Sequence, residues 1–121
     1  MSFLMVALGG AFGSISRYAI SMIPVKSHFP FITLIINLIG SFIIGFVTGF
    51  SECKKMPSET ILFLKTGFCG GFTTFSTFSL EAYNLLNDKA YGLCVIYSTL
   101  SLAGCIAGVL LGKKIASAIF A

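Results

Sequence analysis

Four long apolar stretches, separated by three short polar gaps, limit what this chain of 121 residues can fold into. A membrane-spanning helix needs about 20 consecutive, mostly apolar residues. Stretches of that length cover residues of about 3–23, 31–50, 58–86 and 90–111. The gaps are too short for a soluble domain. The sequence therefore predicts an all-α membrane protein, with one domain over residues 1–121 and four transmembrane helices.

The composition excludes an ordinary soluble domain. Hydrophobic residues make up 56% of the chain and charged residues 10%, whereas a soluble domain carries about a quarter charged residues. The net charge is +4, but the lysines are scattered through the gaps and form no basic stripe, so no nucleic-acid partner is predicted. The lipid bilayer is the partner that this composition favours.

An even number of spans places both termini on one side of the membrane. That side carries four lysines, with Lys65 nearby, and the other side carries two, with Arg17 nearby. The excess favours termini in the cytoplasm, because short cytoplasmic segments are enriched in Lys and Arg. A difference of two lysines is small and is compatible with insertion in both directions.

The third stretch contains a sequence that is unfavourable for a continuous helix. Two adjacent glycines and two threonines occupy its middle, in Gly67-Phe-Cys-Gly-Gly-Phe-Thr-Thr-Phe-Ser-Thr-Phe-Ser79. Glycine and threonine have low helix propensity. A break in hydrocarbon must be buried in protein or line a polar cavity, where it frees carbonyl oxygens that can coordinate a cation. The alternative is a packing kink relieved by threonine hydroxyls, and the residues alone leave both open.

Two phenylalanines follow the glycines at helical spacing. Phe75 and Phe78 share a helix face, with serine hydroxyls interleaved between them. The edge of a phenyl ring is electropositive, so such rings can approach an anion where water is absent. Lipid-facing or core positions are the ordinary alternative for two phenylalanines at this spacing.

Candidate hydrogen-bond donors lie in the second and fourth stretches. Asn37 lies in the second stretch, where an unpaired amide is unfavourable, so it either bonds to another helix or faces a cavity as a donor. Tyr97, Ser101 and Cys105 recur at four-residue spacing and form a polar track on one helix face.

Two charged residues lie near the ends of spans. Arg17 is the only arginine. Three interpretations are open for it: its side chain extends to the membrane interface, attracts anions in a vestibule, or contacts a helix end. For Glu81, a structural bond to a neighbouring helix is favoured over proton chemistry.

These features resemble the Fluc (CrcB) family of fluoride channels over essentially the whole chain. The matching motifs are Gly9-Gly10-Ala11-Phe12-Gly13 with Arg17-Tyr18, Asn37 to Phe42, and most specifically Gly67 to Phe78. The resemblance implies a fluoride-selective passive channel in the bacterial inner membrane that exports cytoplasmic fluoride and gives fluoride resistance. It also implies a dual-topology, antiparallel dimer with a pore on each side, formed with an identical chain or with a diverged paralogue.

The resemblance further implies roles for individual residues. A structural sodium ion would be held by the backbone carbonyls of Gly70 and Thr73. The pore would be lined by two phenylalanines, an amide donor and several hydroxyl donors: Phe75, Phe78, Asn37, Ser76, Thr77, Tyr97 and Ser101. Cys105 occupies a position of the track where the family pattern implies a hydroxyl, and a thiol is a weaker donor.

Other function classes fit less well. A small multidrug-type, proton-coupled exporter also has four spans and dual topology, but it needs a carboxylate in the first helix, and this chain has none there and no tryptophan. A purely structural subunit has no need of polar groups in mid-membrane. An enzyme is not expected, because the single histidine lies in a gap and no nucleophile–base pair is visible.

Overall fold

The computed structural model describes all residues, Met1–Ala121, and consists of helices joined by short turns. The first two helices are α1, Ser2–Ser21, and α2, Phe31–Cys53. The third stretch forms two helices, α3 over residues 58–72 and α4 over Phe75–Asn87. The last helix is α5, Tyr91–Phe120. The predicted all-α fold with a broken third helix is confirmed: α1, α2 and α5 are each long and apolar enough to cross a membrane, and α3 with α4 makes up the remaining segment.

The last helix continues beyond the end of its apolar stretch near residue 111. Two contacts with α2 hold this extension. Lys113 Nζ donates to Glu52 Oε1 at 3.1 Å, and the Phe120 ring packs on the Phe50 ring at a centroid distance of 4.7 Å. The lysines therefore end the apolar stretch without ending the helix.

Glycines let the helices pack in two close pairs, α1 with α3 and α2 with α5. A Cβ atom at Gly13 would overlap the carbonyl oxygen of Phe68 in α3, and one at Gly45 would overlap that of Val109 in α5. Small residues allow such close backbone approach in membranes. These glycines of α1 and α2 thus allow close helix packing.

The ends of the helices show which turns share a side. His28 Nε2 lies 3.2 Å from Asp88 Oδ2, between the turn after α1 and the turn after α4. The Lys113–Glu52 contact joins the opposite ends of α5 and α2. Both chain termini therefore lie on the Lys113 side. Only 18 of the 121 residues are buried in the single chain, so most apolar side chains face outward, as lipid-facing or partner-facing side chains do.

Candidate functional site

The break in the third segment consists of two extended residues. Thr73 has φ −83° and ψ 158°, and Thr74 has φ −148° and ψ 120°, so neither continues the helix. Thr74 then caps α4, because its Oγ1 accepts from the backbone N–H of Thr77 at 3.2 Å, a role that threonine favours. The chain thus has a complete interruption here and not a packing kink.

Asn37 of α2 satisfies the backbone of the second extended residue. Its Nδ2 donates to the Thr74 carbonyl at 3.1 Å, and its Oδ1 accepts from the Thr74 N–H at 2.9 Å. One side chain therefore pairs both backbone groups, as the interhelical alternative for Asn37 predicted. An amide carries two N–H bonds, so the second N–H of Asn37 is still available to a ligand.

Arg17 of α1 contacts the end of the first half of the segment. Its Nε donates to the Gly71 carbonyl at 3.1 Å, and this contact is partly buried. A continuous helix would pair that carbonyl with the N–H of Phe75. Arg17 thus makes the helix-end contact that was one of its three sequence-based interpretations.

Two other carbonyls lose their helical partners at the break. The N–H of Thr74, which would bond Gly70 in a continuous helix, donates to Asn37. The N–H of Thr77, which would bond Thr73, donates to the Thr74 hydroxyl. These are the two carbonyl groups for which the family resemblance implies a sodium ion.

A groove of about 440 Å³ lies along the break, between α2 and α5. It is lined by Asn37, Gly40, Ser41, Ile44, Lys65, Cys69, Gly70, Thr73, Thr74, Phe75, Phe78, Ser101, Leu102, Cys105 and Ile106. Phe75 and Phe78 follow the break and lie toward the turn side of the molecule. Lys65 precedes it and lies toward the side of the termini. The groove therefore runs along the helices from the two rings to the lysine.

The two phenylalanines lie together at one end of the groove. Their ring centroids are 5.6 Å apart. Phe75 is 79% exposed in the single chain, whereas Phe78 is half-buried and packs against Tyr97 at a centroid distance of 5.1 Å. Both rings line the groove, so a ligand there can reach them.

Ser101 lines the middle of the groove and carries a buried hydroxyl. Its Oγ is the only buried side-chain oxygen or nitrogen without a hydrogen-bond partner. Cys105 lies one helical turn farther toward the side of the termini and also lines the groove. The polar track of α5 therefore enters the groove at these two positions.

Four other predicted residues do not line the groove. Tyr97 is fully buried behind Phe78, and its hydroxyl donates to Glu81 Oε1 at 3.1 Å. Glu81 therefore makes a structural bond to a neighbouring helix. Ser76 and Thr77 lie beside the break, where their hydroxyls contact Thr74 Oγ1 at 3.4 and 3.1 Å.

Three polar or charged lining residues were not assigned a site role from sequence: Thr74, Ser41 and Lys65. A threonine just before the Phe-Ser-Thr-Phe sequence is a helix N-cap signal. Ser41 lies four residues after Asn37 and hence on the same helix face. Lys65 gave no such signal, because its orientation depends on the local geometry of α3.

Comparison with known proteins gives consistent matches. A family model described as "CrcB-like protein, Camphor Resistance (CrcB)" matches residues 4–113. A "Fluoride-specific ion channel FluC" of Methanocaldococcus jannaschii is 44% identical over 97% of this chain and 95% of its own length. A protein with the same name from Ruminiclostridium cellulolyticum is 47% identical over 94% of this chain and 91% of its own.

Proposed function

This chain belongs to the CrcB family, and from that premise we propose that it is a fluoride-selective passive ion channel whose permeation path is the groove. The relatives are named as fluoride-specific ion channels. That name supports a channel over a proton-coupled multidrug exporter and over an enzyme.

Ser101 lines the groove, and its hydroxyl is buried without a hydrogen-bond partner; this observation carries the proposal for the path. A buried hydroxyl without a partner is unfavourable by about 1–3 kcal/mol, so a ligand that accepts its hydrogen bond stabilises the site. Fluoride is such an acceptor. Asn37 lines the same groove, and the amide N–H that it does not use toward Thr74 is a further donor.

The phenylalanine pair complements these donors. A dehydrated anion needs contacts on several sides, and the rims of Phe75 and Phe78 offer partial positive charge without a mobile proton. Three further hydroxyls support the site without lining the groove. Those of Ser76 and Thr77 contact the Thr74 hydroxyl, and that of Tyr97 donates to Glu81. A narrow path with few donors favours the smallest halide, because larger halides cannot fit among the same groups.

The exposure of the break supports a dimer. Gly70, Phe75 and Ser76 are exposed in the single chain, although open backbone polar groups are not tolerated in contact with lipid. A second copy of the chain, inserted in the opposite direction, would cover this face and complete a groove on each side. A diverged paralogue could take the place of that copy.

A sodium ion fits the break chemically. The carbonyls of Gly70 and Thr73 lack their helical partners, and hard cations prefer oxygen ligands of this kind. When bound, sodium would supply positive charge that holds the carbonyls of the two breaks together. This role would be structural, since the groove itself is lined by anion-binding groups.

The proposed location is the cell membrane, in bacteria the inner membrane, where passive efflux would remove fluoride from the cytoplasm and give fluoride resistance. The three spanning helices support a multi-pass membrane protein. Export requires no energy source when the cytoplasmic fluoride concentration exceeds the external one.

Purified protein in liposomes tests the proposed function. Vesicles loaded with potassium fluoride should release fluoride only when valinomycin supplies a path for potassium, because the flux is electrogenic. Vesicles loaded with potassium chloride should release no chloride. A chain that fails to pass fluoride, or that takes up cationic drug against a proton gradient, would overturn the proposal.

A further inference from the structure

Lys65 is the charged residue of the groove. No carboxylate lines the groove with it, and Lys65 takes part in neither ion pair of the chain. A charge inside the membrane without a counter-ion is unfavourable unless it faces water or a ligand. Lys65 therefore either faces a ligand in the groove or extends its side chain to the membrane interface.

The depth of Lys65 places its backbone inside the membrane. α3 begins at Ser58, so Lys65 lies about two turns, or roughly 10 Å, along the helix axis. The side chain is half-buried and lines the groove together with Cys69 and Gly70. Lys65 thus lines the same groove as Ser101.

A π-helix turns Lys65 toward the groove. Residues Leu62–Cys69 are π-helical, and the N–H of Gly70 bonds the carbonyl of Lys65, five residues earlier. In an α-helix, residues five apart are separated by about 140° around the helix axis. A hydrogen bond between residues i and i+5 brings the two residues onto the same side of the helix, one turn apart. The irregular helix therefore aligns Lys65 with Gly70 at the edge of the break, and such π turns are frequent at functional sites.

We propose that the Lys65 ammonium group concentrates fluoride at the termini-side end of the groove and thereby sets the fluoride flux at low concentration. This inference rests on the proposed channel function. Fluoride would meet a fixed positive charge first, then the Ser101 hydroxyl, and then the two phenylalanine rims. Because no carboxylate lines the groove, nothing there neutralises the attraction.

The electrostatic effect should be moderate and dependent on salt. A unit charge several ångströms from a partly desolvated anion changes its local concentration roughly three- to tenfold. Mobile ions at high ionic strength screen the effect over about 10 Å or less. A lysine that merely extends toward lipid headgroups would give neither effect.

Lys65→Met tests the proposal by removing the charge. Two controls accompany it. Lys65→Arg keeps the charge in place, and Lys114→Met removes an exposed charge that lies on the same side of the molecule but does not line the groove. Fluoride efflux is measured in valinomycin-treated liposomes at low fluoride, at low and high ionic strength adjusted with an impermeant salt. We expect Lys65→Met to reduce the flux roughly three- to tenfold at low ionic strength, with a smaller reduction at high ionic strength. Lys65→Arg and Lys114→Met should stay near wild type.

The outcomes separate this inference from the channel proposal. Wild-type flux in Lys65→Met at low ionic strength would overturn the role of Lys65 while leaving the channel intact. A reduction that is equal at both ionic strengths, or equal in Lys114→Met, would also overturn it. Absence of fluoride flux from the wild-type chain would instead overturn the proposed function. Size-exclusion chromatography verifies that the variants assemble as the wild type does, and Lys65→Gln repeats the test with a polar neutral side chain.

Discussion

At the scale of single residues, the groove combines groups that can bind an anion without carrying a mobile proton. Ring edges, one hydroxyl and one amide N–H provide partial positive charges. Each group attracts an anion only weakly, so the total attraction depends on how the groups are placed around one path. Substitutions that preserve size but remove the partial charge therefore test them individually.

Replacing either groove phenylalanine with isoleucine should reduce fluoride flux sharply. Phe75→Ile and Phe78→Ile retain an apolar side chain but remove the electropositive ring edge. The measurement is valinomycin-dependent fluoride efflux from liposomes, with dimer formation checked by size-exclusion chromatography. Phe3→Ile serves as the control, because Phe3 is 93% exposed on α1, away from the groove. Unchanged flux in both groove variants would remove the rings from the permeation path.

Replacing Ser101 with alanine should separate function from stability. The hydroxyl has no protein partner, so Ser101→Ala breaks no hydrogen bond and should leave the unfolding temperature in detergent unchanged or higher. Fluoride flux should nevertheless fall by about tenfold, the value of one lost hydrogen bond of about 1.4 kcal/mol. A variant with normal flux and reduced stability would show that the hydroxyl is structural.

At the scale of helices, the break is held by side chains from both of its neighbours. Arg17 of α1 satisfies the end of α3, and Asn37 of α2 satisfies the extended residue before α4. The two halves of the segment are thereby fixed relative to different helices. The open backbone is stable because these partners replace the missing helical bonds.

Removing the amide of Asn37 should destabilise the fold. Asn37→Ala leaves both backbone groups of Thr74 without a partner, which we expect to lower the free energy of unfolding by about 2–4 kcal/mol. Thermal unfolding of the detergent-solubilised protein measures this change. Asn84→Ala provides the control, since Asn84 is exposed and its side chain makes no hydrogen bond. Equal stability of the two variants would contradict the bracing role of Asn37.

Close helix packing gives a second prediction at this scale. Gly13→Ala should lower the free energy of unfolding by about 1–3 kcal/mol, because the new methyl group overlaps the Phe68 carbonyl and forces α1 from α3. Gly92→Ala in α5 is the matched control, as nothing lies within 4 Å of its Cβ position. Thermal unfolding should separate the two alanine variants; similar values would show that α1 and α3 are not in tight contact.

The sequence predicted the helices and the break better than it predicted the groove. Apolar length and the Gly-Gly and Thr-Thr pairs determine the helices and the interruption locally. The position of Tyr97 behind Phe78 and the orientation of Lys65 depend on how α3 and α4 rotate after the break. That rotation is set by the π-helix and by the hydrogen bonds of Asn37 and Arg17, which no local pattern specifies.

At the scale of the whole molecule, the distribution of lysines is the feature from which membrane orientation is predicted. The termini-side lysines are Lys54, Lys55, Lys113 and Lys114, and the turn-side lysines are Lys26 and Lys89. Lys65 and Arg17 lie nearer the middle, one on each side, and offset one another. The remaining difference is two charges, and the loop charge bias is what directs insertion. A chain with so small a bias can populate both orientations, which an antiparallel homodimer requires.

Shifting this bias should abolish and then restore the channel. Changing both turn-side lysines to glutamine should force one orientation, remove antiparallel pairs and eliminate fluoride flux. Changing all four termini-side lysines to glutamine, together with Ser27→Lys and Asn87→Lys at exposed turn-side positions, gives an equally large bias of the opposite sign. This variant should take the opposite orientation, also without flux, at little cost in stability because the changed charges are exposed or only weakly paired. Co-expression of the two variants should recover flux, since each then meets an oppositely inserted partner. Full flux from either variant expressed alone would contradict the antiparallel assembly, even if the wild-type chain conducts fluoride.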